Sequence, residues 1–161
     1  MKSIILVRHG KSSWEDNVDD KDRTLLLRGI TDAHLIASEL ASLELKIDAV
    51  LSSPAIRALH TSAIFLQKLY IPFSGFQIKG ELYDFSGEHV ANLVKSLEDS
   101  LDTVLLFGHN NAFTNIVNAW GDKSVGNVPT AGLVQIDFEV DSWSEITTGN
   151  TKRILFPKNF R

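Results

Sequence analysis

The sequence predicts a three-layer α/β/α sandwich with a mainly parallel central sheet, forming one domain over residues 1–161. Two runs, Ile4 to Val7 and Thr103 to Phe107, are almost wholly apolar, as strands covered on both faces are. Segments of helical period separate the strand-like runs, and that alternation gives a parallel sheet with helices on both sides. At 161 residues, 43% hydrophobic and 22% charged, the chain has material for one sizeable core and is too apolar for disorder.

In chain order, Ile4 to Val7 is a buried strand. Residues 11 to 25 are polar and carry Glu15, Asp16, Asp19, Asp20, Asp22 and Arg23, which reads as a long, solvated loop. From Leu27 to Leu43 the apolar residues Ile30, Ala33, Ala37, Leu40 and Ala41 recur at helical spacing. A short strand follows over Ala49 to Leu51. Ser53-Pro54 then reads as a helix start, serine capping and proline in the first turn. That helix runs to about Tyr70, with Leu59, Ala63, Leu66 and Tyr70 inward, and Pro72 ends it.

Phe76 to Ile78 is a third short strand, and residues 79 to 86 form a loop. Ser86 is the candidate cap of a helix reaching about Leu97, with Glu88 near its positive end. The Thr103 to Phe107 strand ends in Gly108 and His109, and Asn110 or Asn111 caps a helix to Trp120. After a loop over residues 121 to 132, Leu133 to Val140 alternates like a strand with one wet face. Trp143 to Thr147 and Thr151 to Phe156 read as further strands, and their short connections suit antiparallel pairing.

Composition excludes several functions. A net charge of -4 is the wrong sign for broad nucleic-acid binding. The absence of cysteine removes disulfides, thiolate nucleophiles and cysteine-ligated zinc. His34, His60 and His89 lack metal-site spacing, and the acidic loop lacks the ligand order of a calcium loop, so neither a metal nor a cofactor is expected. No run approaches the roughly 20 apolar residues of a membrane span. Nor does the run after Lys2 have the length of a signal core, so a cytoplasmic location is expected.

Arg8 and His9 lie at the carboxyl end of the first strand. Ser52, Ser53 and Arg57 lie just past the second, and His109 just past the Thr103 to Phe107 strand. Ligands of parallel α/β sheets bind outside the carboxyl ends of strands. If these strands are parallel neighbours, Arg8, His9, Arg57 and His109 meet in one crevice beside helix N-termini. Arginine forks onto phosphate oxygens, and a neutral imidazole is also a nucleophile, so the set suits a phosphoryl group better than a carboxylate. Pro129 to Gly132 either line this crevice or form a turn.

The segments "LVRHGKSSW", "LSSPAIRALHTS" and "VLLFGHNNAFT" resemble the three signatures of the histidine phosphatase superfamily. Lys11 after Arg-His-Gly, the short length and "VPTAGLVQIDFEVDSW" resemble its bacterial phosphohistidine phosphatase branch. The resemblance extends over nearly the whole chain and implies a phosphoglycerate mutase-like fold. It further implies that His9 is a transiently phosphorylated nucleophile, that Arg8, Arg57 and His109 hold phosphoryl oxygens, and that Ser12 lies beside the phosphate. Larger mutase-like members carry an asparagine where this chain has Glu15. In "ELYDFSG" the family's acid position falls on Asp84, with Glu81 as its neighbour and second candidate. The implied activity is a metal-independent phosphatase acting on a phosphorylated protein, notably phosphohistidine, or on a small phosphate ester. A mutase lacks room for its lid after Asp84, and a non-catalytic phosphate-binding module would not require His9.

Overall fold

Six strands form one sheet in the order β3-β2-β4-β1-β5-β6 in the computed structural model, which describes residues 1–161. They are β1 (Lys2–Arg8), β2 (Ala49–Ser52), β3 (Phe76–Ile78), β4 (Thr103–Gly108), β5 (Leu133–Phe138) and β6 (Asn150–Leu155). The helices are α1 (Leu27–Ser42), α2 (Ile56–Leu69), α3 (Glu88–Lys95) and α4 (Ala112–Trp120). β1 and β4 pair in parallel, as do β4 and β2, and β2 and β3. β5 and β6 add on antiparallel beyond β1.

Alternate strand residues face opposite sides of the sheet, so each strand feeds two cores. Ile4, Leu6 and Leu106 pack with Val90 and Val94 of α3 and Phe113 and Val117 of α4. Ile5, Val7, Leu105 and Phe107 pack with Ala33, Ile36 and Ala37 of α1 and Phe65 of α2. Each such side chain contributes roughly 1.5–3 kcal/mol on burial. This is the expected three-layer sandwich.

Local details differ from the sequence reading. α2 starts at Ile56 behind Ala55, and Ser53 does not cap it. The Ser53 hydroxyl accepts from the Ala55 N–H at 3.2 Å and is also bonded to His109. Along α2, Leu66 is buried as expected, with Ala58 and Phe65, whereas Leu59 and Ala63 are half-buried and Tyr70 is exposed. Tyr70 adopts φ 56° as the left-handed residue that ends the helix.

At α3 the residue before the helix is Gly87, with φ 101°, rather than Ser86, although Ser86 Oγ still accepts from the Glu88 N–H at 3.3 Å, and the helix ends at Lys95, short of Leu97. β5 is buried on both faces because Val134, Ile136 and Phe138 enter one core and Leu133 the other, and Gln135 is satisfied by Arg153 at 2.6 Å. The expected strand at Trp143 is a single 3-10 turn, Trp143–Glu145. Its indole is fully buried and donates to the Leu101 carbonyl at 2.8 Å, so the segment is a plug rather than a sheet edge. At α4, Asn111 precedes the helix without a side-chain cap, while Asn110 Oδ1 accepts from the Thr114 N–H at 3.2 Å.

Candidate active site

Register brings the strand ends together. Arg8 of β1 lies opposite Gly108 of β4, and Ser52 of β2 opposite Phe107. The next residues, His9, His109 and Ser53, therefore leave the sheet at one edge. The His9 N–H continues the ladder onto the Gly108 carbonyl at 3.1 Å, and the Ser53 N–H does so onto Phe107 at 3.0 Å. The Gly10 N–H donates to Thr61 Oγ1 of α2 at 3.0 Å. From the turn before β5, the Ala131 N–H is shared between the carbonyls of Arg8 (3.0 Å) and His9 (2.9 Å). Pro129 to Gly132 thus do both things open in the sequence: they form a turn, and Thr130 lines the cavity.

A cavity of about 240 Å³ opens at this edge, lined by Arg8, His9, Ser12, Arg57 and His109 among others. The two imidazole rings lie 5.3 Å apart. The His9 Nδ1–H donates to the Gly10 carbonyl at 2.6 Å, and that partner assigns the ring proton to Nδ1. Nε2 is then the lone-pair nitrogen, and it accepts from Arg57 Nε–H at 3.3 Å. Burial pushes His9 down to about 3, with the charges of Arg57 and Arg8 acting the same way. Burial and Arg57 push His109 down to about 3 as well. Both rings are neutral at pH 7.

The cations are arranged by the chain around them. Arg57, in the first turn of α2, donates through Nη1 to the Asp20 carbonyl (2.6 Å) and through Nη2 to Asp20 Oδ2 (2.9 Å). Arg8 donates through Nη1 to the Val128 carbonyl at 2.9 Å. Arg23, 7% exposed, donates to Ser12 Oγ and lies 3.4 Å above the Trp14 ring. Arg8 Nε, Arg23 Nε, Arg23 Nη1 and His109 Nδ1 are buried with no hydrogen-bond partner. An unpaired buried polar group costs about 1–3 kcal/mol, and all four belong to residues that line this one cavity. An anion with several oxygens is the chemical match.

Asp84 is the sequence candidate that the cavity leaves out. Its Oδ2 accepts from the backbone N–H groups of Gly87 (3.0 Å), His89 (3.1 Å) and Val90 (3.1 Å). Burial raises this carboxyl, but those amides and Ser86 outweigh it and hold it below the usual range. In this structure Asp84 is an ionised cap of α3, and it shares that helix end with Ser86, whose Oγ accepts from the Glu88 N–H at 3.3 Å. Glu81 is exposed and does not line the cavity.

The sequence reading missed Arg23, Asp20, Trp14 and Phe85, which do line it. The loop from 11 to 25 is folded over the site, closed at its base by a bridge between Ser12 and Leu25 and carrying a 3-10 turn at Asp20–Asp22. Its unusual length was the one available signal. No group of three or more His, Asp or Glu side chains is placed to hold a metal ion. No helix is long and apolar enough to cross a membrane.

Residues 4–76 match the histidine phosphatase superfamily (branch 1). An uncharacterized chloroplastic protein of Arabidopsis thaliana is 27% identical over 157 residues, covering 89% of this chain and 70% of its own. An uncharacterized protein of Mycobacterium tuberculosis is 32% identical over 107 residues, covering 64% of this chain and 62% of its own, so the match spans less than two thirds of that relative. Among solved structures, the protein histidine phosphatase SixA complexed with tungstate superimposes with a TM-score of 0.84 at 22% identity, over 99% of both chains. A mycobacterial glucosyl-3-phosphoglycerate phosphatase complexed with VO3 superimposes with a TM-score of 0.70 at 14% identity, over 95% of this chain and 98% of its own. At these identities the solved structures speak to the fold, and the fold is the phosphoglycerate mutase-like one.

Proposed function

We propose that the chain, whose residues 4–76 match the histidine phosphatase superfamily (branch 1), is a metal-independent phosphatase of that superfamily that works through phospho-His9, with phosphohistidine on a protein as its substrate. One observation carries this reading: a neutral His9, its Nδ1–H on the Gly10 carbonyl and its Nε2 lone pair beside Arg57, stands among buried, unpartnered cationic donors. Burial keeps the imidazole unprotonated, which nucleophilic attack requires.

In the first half-reaction Nε2 attacks phosphorus in line and the leaving atom departs with a proton. In the second, water attacks the phosphorus of phospho-His9 and releases phosphate. Arg8, Arg23, Arg57 and His109 hold the equatorial oxygens in both steps, and Ser12 orients Arg23. Fixed positive charge of this kind needs no reorganisation as the phosphoryl group passes from one partner to the other.

The mouth of the cavity supports this substrate class. Trp14, 78% exposed, and Phe85, 46% exposed, stand at an opening that a side chain on another protein can reach. Only α3 lies between Asp84 and β4, so that segment inserts no lid. SixA, described as a protein histidine phosphatase, has the same frame.

The test is a substrate panel with purified protein. Phosphohistidine on a protein is expected to give a higher kcat/KM than phosphoserine or sugar phosphates, with no effect of a chelator. The trapped intermediate is expected to lose its phosphate in acid and keep it in alkali, and His9→Ala is expected to abolish it. Acid-stable label on Ser12 or Ser13 would overturn the nucleophile assignment, and a preference for a sugar phosphate would overturn the substrate.

A further inference from the structure

With Asp84 committed to α3, proton transfer in this pocket needs another group, and Asp20 is the only carboxylate among the cavity-lining residues. We infer that Asp20 is the proton-transfer group of the reaction, giving a proton to the leaving atom and then taking one from the attacking water. This rests on the phosphatase reading above.

The geometry supports the role. Arg57 spans the two reacting sides: its Nε meets His9 Nε2 at 3.3 Å, and its Nη2 meets Asp20 Oδ2 at 2.9 Å. Asp20 therefore stands one guanidinium width from the nucleophile, along the wall of the same cavity. Its side chain is 41% exposed, so protons exchange with solvent. Tyr83 donates its hydroxyl to the same Oδ2, and Arg23 Nε lies 3.7 Å from Oδ1. The exposed Glu15, Asp16, Asp19 and Asp22 of the same loop do not line the cavity.

Substrate binding changes the environment of this carboxyl in the needed direction. In the free protein burial raises its pKa, but hydrogen bonds from Tyr83 and Arg57 outweigh that and keep it ionised. A phosphoryl dianion drawn onto Arg57 and Arg23 competes for the same N–H groups and adds negative charge beside Asp20. Both changes favour the protonated carboxyl. The cycle then balances. The Nε2–P bond forms, the bond from phosphorus to the leaving oxygen or nitrogen breaks, and the Asp20 proton goes to the leaving atom. Next the water O–P bond forms, the P–Nε2 bond breaks, and the water proton returns to Asp20.

The experiment compares Asp20→Asn with the parent protein on a series of aryl phosphates of graded leaving-group pKa. With phenyl phosphate, whose leaving oxygen needs a proton, kcat/KM is expected to fall about 10²–10⁴-fold. With 2,4-dinitrophenyl phosphate, which leaves unaided, the fall is expected to stay below about 10-fold, and a burst of dinitrophenol is expected because the second step still lacks its base. Asp20→Glu, which keeps a carboxyl, is expected to recover part of the phenyl phosphate rate. Calorimetric binding of inorganic phosphate reports that the pocket of each variant is folded. Equal loss on every aryl phosphate with no burst reduces Asp20 to a positioner of Arg57. Retained turnover with tighter phosphate binding makes it a competing anion, and either result overturns the inference. If the parent protein does not hydrolyse the dinitrophenyl ester, the phosphatase reading itself has failed, which is a separate outcome.

Discussion

Lowering the pH from 7 to 5 should destabilise the fold through His9 and His109. Each imidazole is pushed down to about 3 in the native state, against 6.5 in an unfolded chain. Below pH 6.5 the unfolded chain binds protons that the native protein refuses, so stability falls as pH falls, until the native pKa is reached. At pH 5 the unfolded imidazole sits about 1.5 units below its pKa, which is worth about 2 kcal/mol per ring, or about 4 kcal/mol for the pair. Such a loss is a large share of the 5–15 kcal/mol typical of a domain. The carboxyls held low, Asp20 and Asp84, act in a lower window, because their stabilisation is lost only below the unfolded value of 3.8. Urea unfolding of the parent, His9→Ala and His109→Ala at pH 7 and pH 5 checks this, with each replacement expected to remove about half of the loss. An unchanged pH dependence in both variants would falsify the assignment of neutral rings.

Two further outcomes follow from packing. Asp84→Ala should cost about 1–3 kcal/mol in urea unfolding, because it strips an ionised cap from α3 and leaves the buried Gly87 and Val90 amides unpaired; a variant of normal stability that selectively loses poor leaving groups would instead restore Asp84 as the acid. Gly29→Ala places a Cβ 2.2 Å from the Lys11 carbonyl oxygen, so the turn after His9 must shift. Turnover should drop together with a stability loss of about 1–3 kcal/mol, and unaltered turnover would show that the turn and α1 are not tightly joined.

The parts of the site legible in the sequence are those tied to regular structure. Arg8 and His9 end one strand, His109 ends another, and Arg57 sits one turn into a helix, so topology alone brings them together. Arg23 and Asp20 were not legible, since their recruitment depends on how an irregular loop closes, and an arginine among five carboxylates reads as a solvated, neutralised stretch. Ser53 shows a different limit. Its pattern is that of a helix cap, but the hydroxyl is bonded to His109 and the helix starts later. Polar Gln135 and Asp137 gave β5 a wet face in the sequence, yet they are satisfied by Arg153 and Ser3 within the fold. Trp143 alternates as a strand residue would, and period alone does not distinguish a strand from an indole plug.

The backbone on either side of the His9 side chain is tied on three sides: its own N–H to β4, its carbonyl to the Ala131 turn, and the next N–H to Thr61 of α2. His9 is thus anchored to a sheet, a turn and a helix at once, and a hinge motion here would have to break all three attachments. In the proposed reaction it is the phosphorus that travels, inverting from leaving group to imidazole and then to water, while the ring stays put. Adaptation to differently shaped substrates therefore falls to the exposed rim, Trp14 and Phe85, because Ser12, Asp20 and Arg23 of the loop from residue 11 to 25 are bonded into the site themselves.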